Sequence, residues 1–157
     1  DFDWDKENKL ITEHEREHQV YGTCKEIFID GITIEKSKMY FYLQKHIHDP
    51  ILRKGCKNHN DIINFLKNKV KLYENIKKIG LEKNINNNIE FIIDRNHNLV
   101  KINSGNHRFA MSRVLKLKKI PVEIKVMHLN CFGKNSNMKI KISKINKIIK
   151  NIENKYA

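Results

Sequence analysis

The residues best suited to chemistry in this sequence form one short segment, Ser104-Gly105-Asn106-His107-Arg108. Apolar alternation before the segment predicts two strands, over 89–93 and 99–102, and the polar residues 95–98 between them predict a turn. The apolar spacing after the segment predicts a helix over 109–117. The segment therefore stands where a predicted strand ends and a predicted helix begins.

A helix start of this kind is well suited to holding a phosphate group. The first amides of a helix have no partners within the helix, and they carry the positive end of its dipole. Arg108 would add a forked, charge-assisted contact, and His107 would act as a hydrogen-bond donor to a phosphate oxygen. The simpler interpretation is that Asn103 or Ser104 caps the helix while His107 and Arg108 lie on the surface.

Together with its neighbours, the segment resembles the ParB/sulfiredoxin superfamily over residues 69–127. Four pieces carry the resemblance: a helix ending in Ile-Gly-Leu over 72–81, the two strands, G-x-H-R-x-A over 105–110, and Leu-x-x-Ile-Pro-Val over 117–122. The resemblance implies an α+β fold with a small mixed sheet and packed helices. It also implies that nucleotide phosphate is held by Ser104, Gly105, Asn106, His107 and Arg108.

Departures from the family pattern narrow the expected chemistry. Sulfiredoxins have a cysteine nucleophile at the position of Asn106, so we do not expect sulfinic acid repair. ParB proteins usually show G-E-R-R and a helix-turn-helix domain downstream. Here we predict a last strand over 120–126 and expect only about thirty residues after it, fewer than such a domain needs. The G-x-H-R form is closest to the free serine kinase-like members.

The first hypothesis is an enzyme that binds ATP or another nucleotide and transfers its terminal phosphate to a small hydroxyl-bearing acceptor. Such chemistry usually uses Mg²⁺ and a carboxylate that orients the acceptor hydroxyl. Candidate acids are Asp61 at a helix start, Asp94 after the first strand, and Asp5; with His107 they form the candidate catalytic set. The alternative hypotheses are a nucleotide-gated or DNA-associated ParB-like module and a nuclease, which would need a carboxylate–metal cluster.

Composition limits the partners that we expect. The formal charge is +13, from 31 Lys and Arg against 18 Asp and Glu, which favours phosphate-rich partners. Much of that charge is lysine, and the sequence is also rich in Asn and Ile, a composition that AT-rich coding sequences produce. Because such a bias raises the lysine content by itself, we regard nucleic acid as the less favoured partner. Three widely spaced cysteines predict free thiols in a reducing compartment, hence the cytoplasm. No apolar run reaches membrane-spanning length, and no signal peptide is visible.

The N-terminal residues offer two weaker metal hypotheses. Trp4 between Asp3 and Asp5 predicts an indole that docks on the domain, and the alternative is that the two acids coordinate a divalent cation. His14 and His18 would share one helix face, at a spacing that also suits zinc. No third ligand stands near them, so surface histidines are the favoured interpretation.

The other predicted elements complete one domain of 157 residues. It comprises an N-terminal extension over 1–60, a core over 61–127 and a basic amphipathic helical region over 134–157. Within these parts we predict a helix over 12–21, a hairpin over 26–34 around Asp30-Gly31, a helix over 35–47, and a helix over 61–79 capped by Asn60 or Asp61 and ended by Gly80. The C-terminal helix is expected to pack on the domain. Its alternatives are dimerisation or binding to nucleic acid or a membrane surface.

Overall fold

A computed structural model describes residues 19–49, 51, 53–82, 88–102, 104–133 and 142–156 of the chain. Among these residues it contains five α-helices and one three-stranded mixed sheet, which confirms the predicted α+β class. The helices are α1 (Gln19–Phe28), α2 (Lys38–Lys45), α3 (His59–Ile79), α4 (Asn106–Val114) and α5 (Ile142–Tyr156), and the strands are β1 (Ile89–Ile93), β2 (Leu99–Lys101) and β3 (Val122–Met127). In the described ranges, no helix combines the length and apolarity that crossing a bilayer requires.

Two compact units make up the structure, and each is described by itself. The sheet unit contains the described residues of 88–105 and 118–156, and the helical unit contains those of 19–82 and 106–117. The first unit therefore holds all three strands and α5, and the second holds α1 to α4. The predictions for Trp4, for Asp3 and Asp5 and for His14 and His18 lie outside the described residues, as does Asn103.

The sheet unit is built on β1, which lies between β2 and β3. β1 pairs with β2 in antiparallel register, with Ile92 opposite Val100, and with β3 in parallel register, with Ile89 opposite Val122. The alternating burial of β1 places Ile89, Phe91 and Ile93 inside. This pattern explains why the apolar alternation over 89–93 predicted the strand correctly.

Helix α5 packs on the sheet unit through one apolar stripe. Ile148 and Ile152 are buried in a cluster with Ile93, Cys131 and Phe132. The packing that we favoured for the C-terminal helix is therefore confirmed. The helical spacing of its isoleucines needs an apolar partner surface, and this cluster provides one.

The contribution of α5 to stability can be measured with a pair of identical substitutions. Ile148→Ala should lower the free energy of unfolding by about 2–4 kcal/mol, because it leaves a cavity in the cluster. Ile142→Ala on the same helix is the control, since Ile142 is 75% exposed and its loss should cost roughly 0.5 kcal/mol or less. Urea unfolding of both variants checks the difference. Equal costs would show that α5 does not pack as described.

The helical unit surrounds α3, the longest described helix. Its core consists of buried residues, and the least exposed of them include Leu43 of α2, Ile62 and Leu66 of α3, and Met111 of α4. Gly80 ends α3 at a φ of 80°, as the sequence predicted. The N-cap prediction was wrong: Asn58 caps the helix, and its side chain accepts a hydrogen bond from the amide of Asp61.

The predicted hairpin over 26–34 was also wrong. Residues up to Phe28 continue α1, and the Phe28 ring stacks on Tyr73 with ring centroids 3.6 Å apart. Val20, Thr23 and Cys24 are buried at helical spacing, which explains why this segment forms a helix and not a strand. Asp30-Gly31 follows the end of the helix, and Gly31 takes a φ of 68° there. A dipeptide typical of hairpins thus serves here as a helix stop.

Candidate functional site

The segment 104–108 joins the turn after β2 to the first turn of α4. Ser104 and Gly105 form the turn, and α4 begins at Asn106. The predicted strand–turn–helix order is therefore present, but the helix starts three residues earlier than the predicted Phe109 and ends at Val114. Consequently His107 and Arg108 belong to its first turn, where the positive end of the helix dipole lies.

Gly105 makes a backbone approach that no other residue permits. Its φ is 74°, and a Cβ built on it would lie 2.7 Å from the Cα of Ile89 and 2.8 Å from the carbonyl oxygen of Asn88. The hydroxyl of Ser104 donates a 3.4 Å hydrogen bond to the same Asn88 carbonyl. The turn is therefore seated directly on the start of β1, and this contact fixes the point at which the chain leaves the sheet unit.

A lysine that the sequence analysis missed holds the same turn. The Nζ of Lys101 donates to the carbonyl oxygens of Ile102 and Ser104. Burial lowers the pKa of Lys101 to about 8, although the negative charge of Glu90 opposes that shift. The chain is rich in lysine and the residues around Lys101 do not distinguish it, so the sequence does not predict its contact with the folded turn.

The lowered pKa of Lys101 predicts a pH dependence of stability. The unfolded chain, with the ordinary lysine pKa of 10.5, binds more protons than the folded protein between pH 8 and 10.5. The contribution of Lys101 to the free energy of unfolding should therefore rise as the pH rises through that window. Lys101→Arg should lack this rise, since arginine keeps its proton throughout. Urea unfolding across the window compares the two, and identical pH slopes would contradict the assignment.

On the helical unit, α4 is anchored by its buried face and presents its first turn beside α3. Ala110, Met111 and Ser112 are buried, and the Ser112 hydroxyl donates to the carbonyl oxygen of Phe109. His107 is half-buried, and its ring meets the Phe65 ring edge-on at a centroid distance of 5.8 Å. The packing thus fixes the backbone of the helix start and positions His107 against an aromatic neighbour.

The Phe65 ring also carries a cation on α3. The ammonium of Lys69 lies 5.0 Å from the centroid of the Phe65 ring, a cation–π distance. Burial lowers the pKa of Lys69, and the positive charge of Lys54 lowers it further. Lys69 and His107 therefore share one aromatic neighbour within the helical unit, a grouping that sequence spacing did not reveal.

Both described carboxylate candidates are engaged by nearby backbone groups. Asp61 accepts a hydrogen bond from the amide of Lys57 at the start of α3. Asp94 is buried, and its carboxylate accepts from the amides of Asn96 and Asn98 and from the Asn98 side chain. Through these contacts Asp61 holds the residue that precedes the Asn58 cap, and Asp94 stabilises the turn after β1. We therefore assign neither residue a chemical step, and the third candidate, Asp5, lies outside the described residues.

Cys24, Cys56 and Cys131 are free, as predicted, and all three are also buried. The thiol of Cys131 donates to the carbonyl oxygen of Asp94 at 3.1 Å, and burial raises the pKa of Cys24 to about 12. Both therefore act as neutral core residues. Within the described ranges, no group of three or more His, Cys, Asp or Glu side chains is placed to hold a metal ion.

Comparison with known proteins gives no assignment: no family model, no curated protein and no solved structure matches the chain. The resemblance to the ParB/sulfiredoxin superfamily therefore stays a prediction that rests on the residues of the four pieces. Any function for the chain must be inferred from the geometry of the segment 104–108 and its neighbours.

Proposed function

We propose that the segment 104–108 binds the phosphates of ATP or a related nucleotide. The observation that carries the proposal is the backbone of Gly105, which has a positive φ and lies against the backbone of Ile89 immediately before α4 begins. The contact with Ile89 fixes the turn, and a phosphate would meet the helix start that follows it directly. Arg108 and His107, both in the first turn, supply the cation and the donor.

We further propose that the bound nucleotide donates its terminal phosphate to a small hydroxyl-bearing acceptor. The acceptor oxygen would form a bond to the terminal phosphorus while the bond from that phosphorus to the bridging oxygen breaks, so that ADP leaves when ATP is the donor. Arg108 would stabilise the negative charge on the transferred group. We place this activity in the cytoplasm, because ATP is supplied there and three free, buried cysteines suit a reducing compartment.

Magnesium enters this proposal as part of the substrate. Mg²⁺ usually keeps several waters and is held mainly by the phosphates of a nucleotide. The described residues provide no carboxylate cluster for a resident ion, and Asp61 and Asp94 are engaged by their own helix start and turn. The proposed reaction therefore uses no metal ion bound by protein side chains. The contribution of the chain is to hold and orient MgATP.

Two measurements test the proposal. Melting temperatures with ATP, ADP, CTP or inorganic sulfate separate nucleotide binding from general anion binding, because a ligand that binds the folded state raises the melting temperature. ³¹P NMR of reactions with MgATP and a panel of small alcohols detects new phosphate esters. Stabilisation by ATP together with a new ester supports the kinase proposal. Stabilisation by sulfate and ATP alike, without an ester, would contradict it.

The second candidate is a nucleotide-gated or DNA-associated module, which the net charge of +13 favours. Filter binding of duplex DNA at two salt concentrations, with and without nucleotide, tests it. A real DNA contact should weaken steeply as salt rises, since each neutralised phosphate releases a counterion. Affinity that also changes on adding nucleotide would favour this module over the kinase. For a nuclease, the described residues provide no supporting carboxylate–metal group.

A further inference from the structure

Lys101 holds the turn of the proposed phosphate site from the last position of β2. Its Nζ donates to the carbonyl oxygens of Ile102 and Ser104, so one ammonium joins two points of the chain between the strand and α4. Lys101 is half-buried, and both contacts lie within the sheet unit. Hydrogen bonds from a charged donor are roughly twice as strong as neutral ones. The path of the chain through the turn therefore depends on the charge of Lys101.

The hydrogen bond to the Ser104 carbonyl sets the direction of the next amide. A trans peptide unit is planar, and its C=O and N–H groups point in opposite directions, so the N–H of Gly105 points away from the ammonium. That N–H has no hydrogen-bond partner among the residues that the structure describes, whereas backbone N–H groups are nearly always paired. The contact of Gly105 with Ile89 fixes the other side of the residue. The turn thus presents one amide donor immediately before α4.

The charge of Lys101 changes in a pH range where that of its basic neighbour does not. Burial lowers the pKa of Lys101 to about 8, and the negative charge of Glu90 on β1 opposes this shift. Glu90 also pairs with Lys125 of β3 at 3.2 Å, and Lys125 lies 2.6 Å from Glu123. Hydrogen bonds to Glu123 and Glu90 raise the pKa of Lys125, so Lys125 keeps its proton where Lys101 loses its own.

We propose that Lys101 is the positioning residue of the phosphate site: its ammonium holds the Ser104 carbonyl so that the Gly105 amide can donate to a nucleotide phosphate, and nucleotide affinity falls when the ammonium loses its proton. The role in nucleotide binding rests on the proposed function. A neutral amine is a weaker donor than an ammonium, so deprotonation loosens the turn and removes one positive charge from it. The site would therefore bind nucleotide more tightly at neutral than at alkaline pH.

The control of the turn is tested without nucleotide, by ¹³C-detected NMR as the pH is raised through 8. The Cε of Lys101 reports its protonation, and the carbonyl carbon of Ser104 reports the hydrogen bond. We expect the two signals to change together, with a midpoint near pH 8. In Lys101→Arg the Ser104 carbonyl should show no step in this range, because arginine keeps its proton. A Ser104 signal that does not follow the protonation of Lys101 would overturn the proposal.

Nucleotide binding is then measured by isothermal titration calorimetry with MgATP, at about one unit below and above the pKa of Lys101. The wild-type Kd should rise by about fivefold at the higher pH, the difference between a charged and a neutral hydrogen bond, whereas that of Lys101→Arg should change by less than about twofold. At the lower pH, Lys101→Met should bind about tenfold more weakly than wild type. Lys119→Met, which removes the same charge from an exposed position of the sheet unit, should match wild type.

The outcomes separate the role of Lys101 from the proposed function itself. The melting temperature of each variant without ligand establishes that it is folded. Lys101→Met that binds MgATP as tightly as wild type, or a wild-type Kd that is equal at the two pH values, would overturn the role of Lys101 in nucleotide binding. A wild-type protein that binds no MgATP, while its Ser104 carbonyl follows Lys101, would overturn the proposed function and leave Lys101 as the residue that holds the turn.

Discussion

Arg108→Ala should abolish detectable nucleotide binding while leaving the fold intact. A hydrogen bond to a charged group contributes about 1.5–3 kcal/mol, and a forked guanidinium makes two of them, so we expect the Kd for ATP to rise by more than about 100-fold. Arg108 is half-buried in the first turn of α4, so its truncation removes charge at the proposed phosphate position. Isothermal titration calorimetry with MgATP measures the loss.

Arg113→Ala provides the control on the same helix. Arg113 is exposed in the last turn of α4, away from the helix start, so its loss should change the Kd for ATP by less than about threefold. Far-ultraviolet circular dichroism and the melting temperature without ligand establish that both variants are folded. ATP binding by Arg108→Ala at wild-type strength would place the phosphate site elsewhere in the protein.

Gly105→Ala should be the most destabilising single-methyl change in the sheet unit. The added Cβ would lie 2.7 Å from the Cα of Ile89, a backbone atom that cannot move aside as a side chain can. A positive φ costs a non-glycine residue about 1–2 kcal/mol, and overpacking adds about 1–3 kcal/mol. We therefore expect a total loss of about 2–5 kcal/mol in the free energy of unfolding, measured by urea denaturation.

Gly133→Ala separates the two causes of that loss. Gly133 has a φ of 88°, but a Cβ at this position meets no described atom within 4 Å. Its ψ of 164° puts it in a conformation that is essentially restricted to glycine, so its substitution should cost only the conformational part, about 1–3 kcal/mol. If Gly105→Ala were no more destabilising than Gly133→Ala, the close contact between the turn and β1 would be absent in solution.

The parts of the fold that sequence predicted well are those whose pattern and tertiary environment agree. β1 alternates because Ile89, Phe91 and Ile93 point inward, and α3 ends at Gly80 because the chain there takes a φ of 80°. The isoleucine stripe of α5 likewise meets an apolar cluster in the sheet unit. In each case the local sequence pattern matches the environment of the same residues in the folded chain.

The hairpin prediction was wrong because it relied on a local turn sequence, whereas tertiary packing determines the structure of this segment. Asp30-Gly31 suits a two-residue hairpin turn, but the helical spacing of Val20, Thr23 and Cys24 and the stacking of Phe28 extend α1 to that point. The alternation of apolar residues cannot predict that Phe28 stacks on Tyr73 of α3, because Tyr73 lies far away in sequence. Tertiary contacts therefore override the propensity of a short segment.

The candidate site could be predicted only in part. The order of strand, glycine turn and helix start was readable from 99–109, since each piece has a local signature. The hydrogen bonds of Lys101 to the turn and the contact of His107 with Phe65 could not be predicted, because they depend on how the folded chain places these side chains. Asp61 and Asp94 were predicted as candidate catalytic acids, but each carboxylate accepts a hydrogen bond from a nearby backbone amide. The sequence does not distinguish such a structural acid from a catalytic one.

The central claim is that the start of α4 holds nucleotide phosphate, and amide chemical shifts on addition of MgATP test it most directly. We predict that the largest changes in ¹⁵N–¹H spectra fall on the amides of residues 105–108, that they saturate with ATP, and that Arg108→Ala removes them. Changes concentrated outside that segment, or no saturable change at all, would contradict the claim.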